Sequence, residues 1–274
     1  MNYWHIIIFA LTILSMMFFL LMNLSFIQAY FISVLLILII YFVITLIRGK
    51  ILSYLLNEAC DPVRYLKRIR KQDVVMKRKP KYLAILAINK AAAYIVLGEY
   101  EKARALLDAI DKSYLSEKNG TLLVFTINYI SCCFELGDIE KALELLDTQI
   151  AILSPINKRC KLSINILIGD RYYYLGKFDQ SYEHLNKLLD IELNRRVYLS
   201  ILYRLAQIDE IRGDVELAKK KYRKVAQHGN KLWVAEQSRK QIRFIEEADK
   251  IKETDKIEEV DIIGETDMTN LRNR

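Results

Sequence analysis

Gly98-Glu99-Tyr100-Glu101-Lys102-Ala103 returns as Gly137-Asp138-Ile139-Glu140-Lys141-Ala142, as Gly176-Lys177-Phe178-Asp179-Gln180-Ser181 and as Gly213-Asp214-Val215-Glu216-Leu217-Ala218. The glycines stand 39, 39 and 37 residues apart. Each copy joins a turn glycine to a polar opening, one apolar residue and a small residue five positions on. Helical periodicity runs for about 15 residues before each glycine and resumes after it. A period of this length marks hairpins that bury little alone and a continuous core when stacked. The fold class expected is all-α: an α-solenoid of about four helical hairpins over residues 81–248, closed by a capping helix. That last helix begins near Lys231 and carries Leu232, Trp233, Ala235, Ile242 and Ile245 on one side.

Composition agrees with long helices, since glycine (9) and proline (3) are scarce among 274 residues. The net charge of +8 is local: residues 48–81 hold eleven Lys/Arg against three Asp/Glu, and the remainder balances. An excess confined to one block does not trace a nucleic-acid groove, so no nucleic acid is expected. Cys60, Cys132, Cys133 and Cys160 lack metal or redox spacing and read as small core residues in a reducing compartment.

Residues 3–47 contain no charged side chain. As one helix they would run about 68 Å, against a bilayer core of about 30 Å. The polar break at Asn23-Leu24-Ser25 divides them into spans of about 4–22 and 26–47, a two-helix transmembrane hairpin. No positive charge precedes the first apolar run, which argues against a cleaved signal peptide. The basic block after Ile47 places both termini on the cytoplasmic side of the cell membrane. Residues 48–80 read as a basic juxtamembrane amphipathic helix, with Asp61-Pro62 as a start signal and an apolar stripe of Val63, Leu66, Ile69 and Val74. Arg48, Lys50, Arg64, Lys67, Arg68, Arg70, Lys71, Lys77, Arg78 and Lys79 could meet anionic lipid headgroups, each contributing on the order of 1 kcal/mol. A plain topological stop signal is the alternative. Residues 249–274 read as a disordered acidic tail.

From Lys81 to Ala248 the chain resembles the tetratricopeptide-repeat (TPR) family, and so a membrane-anchored member of it. The third unit carries the resemblance best: Ile168, Gly169 and Tyr172 before Gly176, then Ser181 and Leu185. The first has Ala91, Tyr94, Ala103 and Leu107; the second keeps Ala142 and Leu146 but has Ile130 and Cys133; the fourth has Leu205, Ala206, Ala218 and Tyr222. The period departs from the family's 34 residues, with the excess expected at Lys112–Gly120, Ser154–Lys158 and Glu192–Arg196. The resemblance implies that residues thirteen, ten, six, three and two before each turn glycine line a concave face. The partner-binding groove it implies contains Ile127, Ser131, Phe134, Glu135, Ile166, Asp170, Tyr173, Tyr174, Ser200, Tyr203 and Gln207. In the first unit the same places are all apolar (Ile85, Ile88, Ala92, Ile95, Val96), which means either packing by the basic helix or an apolar pocket.

No phosphate loop, dinucleotide fingerprint, zinc-protease or nucleophile-elbow motif occurs. His5, His184 and His228 have no catalytic companions in sequence. No enzyme, cofactor or metal is expected. The function expected is a membrane-anchored, cytoplasm-facing scaffold or adaptor that recruits protein or peptide through a tyrosine-rich groove. The alternatives are a peptide-sensing regulator without a DNA-binding domain and, less well supported, an enzyme. The Ile- and Lys-rich composition is compatible with a bacterial source.

Overall fold

A computed structural model describes the backbone of residues 3–22, 25–76 and 79–248, and side chains within them except 3–9 and 72–76. All regular structure among the described residues is helical. The chain forms two compact units, residues 1–54 and 55–274. The acidic tail expected over 249–274, together with Lys77 and Arg78, lies outside the described residues.

The first unit holds α1 (Tyr3–Leu21) and most of α2 (Phe26–Asn57). Among the described residues, α2 is the one helix long and apolar enough to cross a membrane, and only 6% of its most apolar window is buried. The helix does not stop at Ile47 as the charge boundary suggests. It continues through Arg48 and Lys50 to Asn57, because nothing in Gly49-Lys50-Ile51-Leu52 breaks helical hydrogen bonding.

In the second unit the repeated phrase is a repeated backbone. α4 (Pro80–Val96) pairs with α5 (Tyr100–Asp108), α6 (Thr121–Glu135) with α7 (Ile139–Leu145), α8 (Lys158–Tyr174) with α9 (Phe178–Lys187), and α10 (Arg195–Ile211) with α11 (Val215–His228). Gly98, Gly137, Gly176 and Gly213 all have φ between 71 and 86°. The residue after each donates its N–H to the carbonyl five positions back, as in Asp138 N to Cys133 O at 2.8 Å. That bond ends a helix only if the glycine position is left-handed, which explains the residue type. The small residue five further on, Ala103, Ala142, Ser181 or Ala218, is fully buried each time. Ser181 is polar but satisfied: its hydroxyl donates to Gly169 O at 2.8 Å. The longer period is absorbed by a 3-10 turn at Lys112–Tyr114, a π-turn at Leu146–Ile150 and a 3-10 turn at Leu188–Asp190. α10 begins at Arg195, two residues earlier than the third expected connection allows.

α3 (Pro62–Met76) packs against α4. Asp61 caps it, accepting from Arg64 N at 3.0 Å. Its buried side is Tyr65, Leu66 and Ile69, while Val63 is exposed. The expected stripe is thus rotated toward Tyr65, whose ring reaches the core that Val63 would have filled; the Val74 side chain lies outside the described residues. Arg64, Lys67, Arg68, Arg70 and Lys71 are all exposed.

A final helix, α12 (residues 233–248), does more than cover the last hairpin. Trp233 packs edge-on against Tyr100 of the first hairpin (5.9 Å) and Tyr203 of the last (5.7 Å). Leu232 and Ile245 join the cluster of Leu199, Tyr203, Ala206 and Tyr222. Asn230 Nδ2 donates to Ala59 O at 2.8 Å, and Lys231 N donates to Cys60 O at 3.2 Å. The two ends of the array therefore meet.

Closure gives a measurable asymmetry between two turns. A Cβ on Gly98 would lie 2.2 Å from the Trp233 side chain, whereas a Cβ on Gly137 meets nothing within 4 Å. Both substitutions to alanine lose about 1–2 kcal/mol from the left-handed backbone. Gly98→Ala should lose about 1–3 kcal/mol more through overpacking. In a Trp233→Ala background that excess should vanish in denaturant titrations; its persistence would show that the ends do not meet there.

Candidate functional site

The concave side of the array is organised by Arg204, a residue the groove reasoning passed over. Arg204 lies nine positions before its turn glycine, outside the offsets that the family resemblance supplies. The available signal was a lone cation between Tyr203 and Leu205-Ala206 on an otherwise apolar helix. Its side chain is 12% exposed. Its Nη2 donates to Glu135 Oε1 at 2.7 Å, Nε to Asp170 Oδ1 at 3.1 Å, and Nη1 to Gln207 Oε1 at 3.0 Å. The guanidinium lies 4.2 Å from the Tyr173 ring centroid and 5.2 Å from that of Tyr174. Tyr174 in turn stacks on Phe134 at 4.9 Å with nearly parallel planes.

The physical reason for the grouping is desolvation. Burial opposes the charge on Arg204, and Asp170 and Glu135, with the two tyrosines, outweigh it and hold the guanidinium firmly protonated. Burial likewise pushes the Asp170 carboxyl above the usual carboxylate range, against the pull of Arg204. Burial raises Tyr203 to about 12, and it raises Tyr174 and Tyr100 further. These phenols are neutral hydrogen-bonding groups at any physiological pH.

The groove residues fall into two sets. Phe134 (2% exposed), Ile127 and Tyr203 are buried, so they are packing residues rather than open surface. Ser131, Ile166, Asp170, Tyr173, Tyr174 and Gln207 are half-buried around the network. Ile95 and Val96 are covered from the α12 side, where Val96 packs in the same cluster as Trp233, and Ile88 packs with Ala103 and Phe125. The apolar first unit is therefore packed, though not by the basic helix alone. A cavity of about 150 Å³ remains, bounded by Tyr100, Ser131, Asp170, Arg196, Ser200 and Trp233 among others. Ligand pockets run about 300–1,000 Å³, so this one admits a single side chain or chain end rather than a length of peptide.

The basic residues fall elsewhere. Lys67, Arg68, Arg70 and Lys71 line the exposed side of α3, and Lys79 is exposed before α4. Arg64 is held by Asp61 at 3.2 Å. Arg48 and Lys50 lie on α2 in the first unit. All four cysteines are free and buried, and burial raises their thiols, which leaves them poor nucleophiles. His184 is occupied by the Asn165 carbonyl at 2.9 Å. No group of His, Cys, Asp and Glu among the described residues is placed to hold a metal ion. Compared with protein-family models, curated proteins and solved structures, the chain matches none.

Replacing Arg204 with methionine leaves two carboxylates desolvated and unpaired, which costs about 3–5 kcal/mol near neutral pH. In that variant the folded carboxyls titrate above their unfolded values, so the folded state binds more protons and stability falls as pH rises through that interval. The penalty relative to the wild-type chain should accordingly be larger near pH 7 than near pH 5 in parallel denaturant melts. Equal penalties at the two pH values would mean that Asp170 and Glu135 are not paired with Arg204.

Proposed function

We propose that the chain is a membrane-anchored scaffold of TPR-like architecture, with spans at about 4–22 and 26–47, both termini cytoplasmic, and an array that recruits a protein or peptide partner. The observation that carries this reading is α2, a lipid-length apolar helix that runs unbroken to Asn57 at the start of the folded unit. The partner contact is the mouth formed by Ser131, Ile166, Tyr173, Tyr174 and Gln207. Aromatic rings beside a fixed guanidinium offer contact area at small entropic cost. The cavity volume favours an anchor residue or chain terminus from the partner over a long extended segment. No catalytic step is assigned to the network, whose ionised groups satisfy one another. The basic side of α3 supports attachment through anionic headgroups.

The test uses the full chain in native membranes. Affinity capture with Tyr173→Ala/Gln207→Ala should lose one stoichiometric protein that the wild-type chain retains, while the two chains melt within a few degrees of each other. Retention of every partner by the variant removes the mouth from the reading. Protease added outside sealed cells should spare residues 81–248, and their digestion would reverse the topology.

A further inference from the structure

The starts of the second helices and of two first helices carry opposite charge. α5, α7, α9 and α11 have Glu101, Glu140, Asp179 and Glu216 in their first turns. This is the favourable sign at a helix N-terminus. α8 and α10 have no acid there and begin instead Lys158-Arg159 and Arg195-Arg196. Their caps are the neutral Asn157 and Asn194, which accept from Cys160 N at 2.9 Å and Val197 N at 3.0 Å. Cations placed against the positive ends of two helix dipoles repel both the dipoles and one another.

Arg196 sharpens the anomaly. It is half-buried and lines the cavity, and its Nε donates to Asn57 Oδ1 at 3.1 Å. Unlike Arg204, it has no carboxylate in ion-pair range among the described residues, and neither do Arg159 and Arg195. Burial lowers the Arg196 guanidinium from its ordinary value; Cys60 and Tyr65 oppose this, and Arg159 adds to it. The Cys60 thiol, raised by burial, feels both Arg195 and Arg196, with Glu58 the one carboxylate acting on it. The three arginines therefore share one neighbourhood beside the last turn of α2. Glu58 pairs with none of them.

We propose that Arg159, Arg195 and Arg196, at the converging starts of α8 and α10, form a binding site for a phosphoryl group. A phosphate supplies the missing counter-charge, accepts from the outward guanidinium N–H groups, and suits exposed helix N–H groups. A single carboxylate would leave most of the positive charge uncompensated. The chain enters the folded unit at this edge, so the phosphoryl group can belong to a lipid headgroup as well as to a soluble phosphate. The site does not rest on the partner reading above.

The full chain in neutral detergent micelles should melt about 2–4 °C higher in sodium phosphate at about five times the Kd than in sodium chloride of equal ionic strength. Arg196→Gln should abolish the rise. Arg159→Gln/Arg195→Gln, at two exposed positions, should weaken phosphate binding at least about tenfold even where Arg196→Gln folds poorly. Lys67→Gln/Lys71→Gln on α3 should keep the full rise. Repeating the melts in nanodiscs of anionic or neutral lipid without free phosphate identifies the source. A rise in anionic discs that Arg159→Gln/Arg195→Gln removes assigns a headgroup; a rise with free phosphate alone assigns a soluble ligand. No rise under either condition, or a full rise in the arginine variants, overturns the site.

Discussion

A guanidinium as enclosed as that of Arg204 stays charged only if carboxylates accompany it out of water, and this requirement ties three hairpins together. Glu135 comes from the end of α6, Asp170 from α8 and Arg204 from α10. Apolar packing between neighbouring hairpins tolerates sliding and repacking, because Leu and Ile contacts are not directional. A fork-shaped donor between two carboxylates does not tolerate it. Tyr173 and Tyr174 then close over the faces of the guanidinium and exclude water. The network fixes which parts of the concave side remain accessible, and so determines the shape of the cavity.

Hairpin geometry was legible in the sequence because its causes are local. Gly137, its neighbour Asp138 and the buried Ala142 lie within six residues, and the bond from Asp138 N reaches only to Cys133. Asp61-Pro62 was legible for the same reason. The period located the insertions but not their form, since Leu146–Ile150 as a π-turn depends on how α7 meets α6. The continuation of α2 past Ile47 was hidden by reading a charge boundary as a helix boundary. Charge selects the medium around a helix and leaves its hydrogen bonds intact.

The candidate site was legible in part. Asp170, Tyr173, Tyr174, Tyr203 and Gln207 were placed together by offset from the glycines, and all of them come within reach of Arg204 or of one another. The offsets assumed an open concave face. Trp233 overturns that assumption by reaching both Tyr100 and Tyr203, 133 and 30 residues away in sequence. A contact between the first and last members of an array depends on the accumulated rotation of every hairpin between them. No single residue encodes that sum. Arg196 was obscure for a related reason: its neighbours Asn57 and Cys60 belong to the opposite end of the chain.

The joint where the ends meet carries a cost that bears on how any partner binds. Cys60 (φ 51°) and Asn230 (φ 46°) are the non-glycine residues with left-handed backbone among those described. They lie across from one another, through Lys231 N to Cys60 O and Asn230 Nδ2 to Ala59 O. Each left-handed residue costs about 1–2 kcal/mol, so the joint persists because its surroundings hold it. Asp61 assists by accepting Lys231 at 3.3 Å, and Leu232 and Ile245 assist by burial. A partner that laid a long segment along the concave face would have to lift Trp233 and α12, undoing the burial that sustains the joint. An inserted side chain or terminus leaves α12 seated and incurs none of that loss. Closure thus selects against extended ligands by energy as well as by space, and it couples the occupancy of the cavity to the place where the chain enters from its apolar helix.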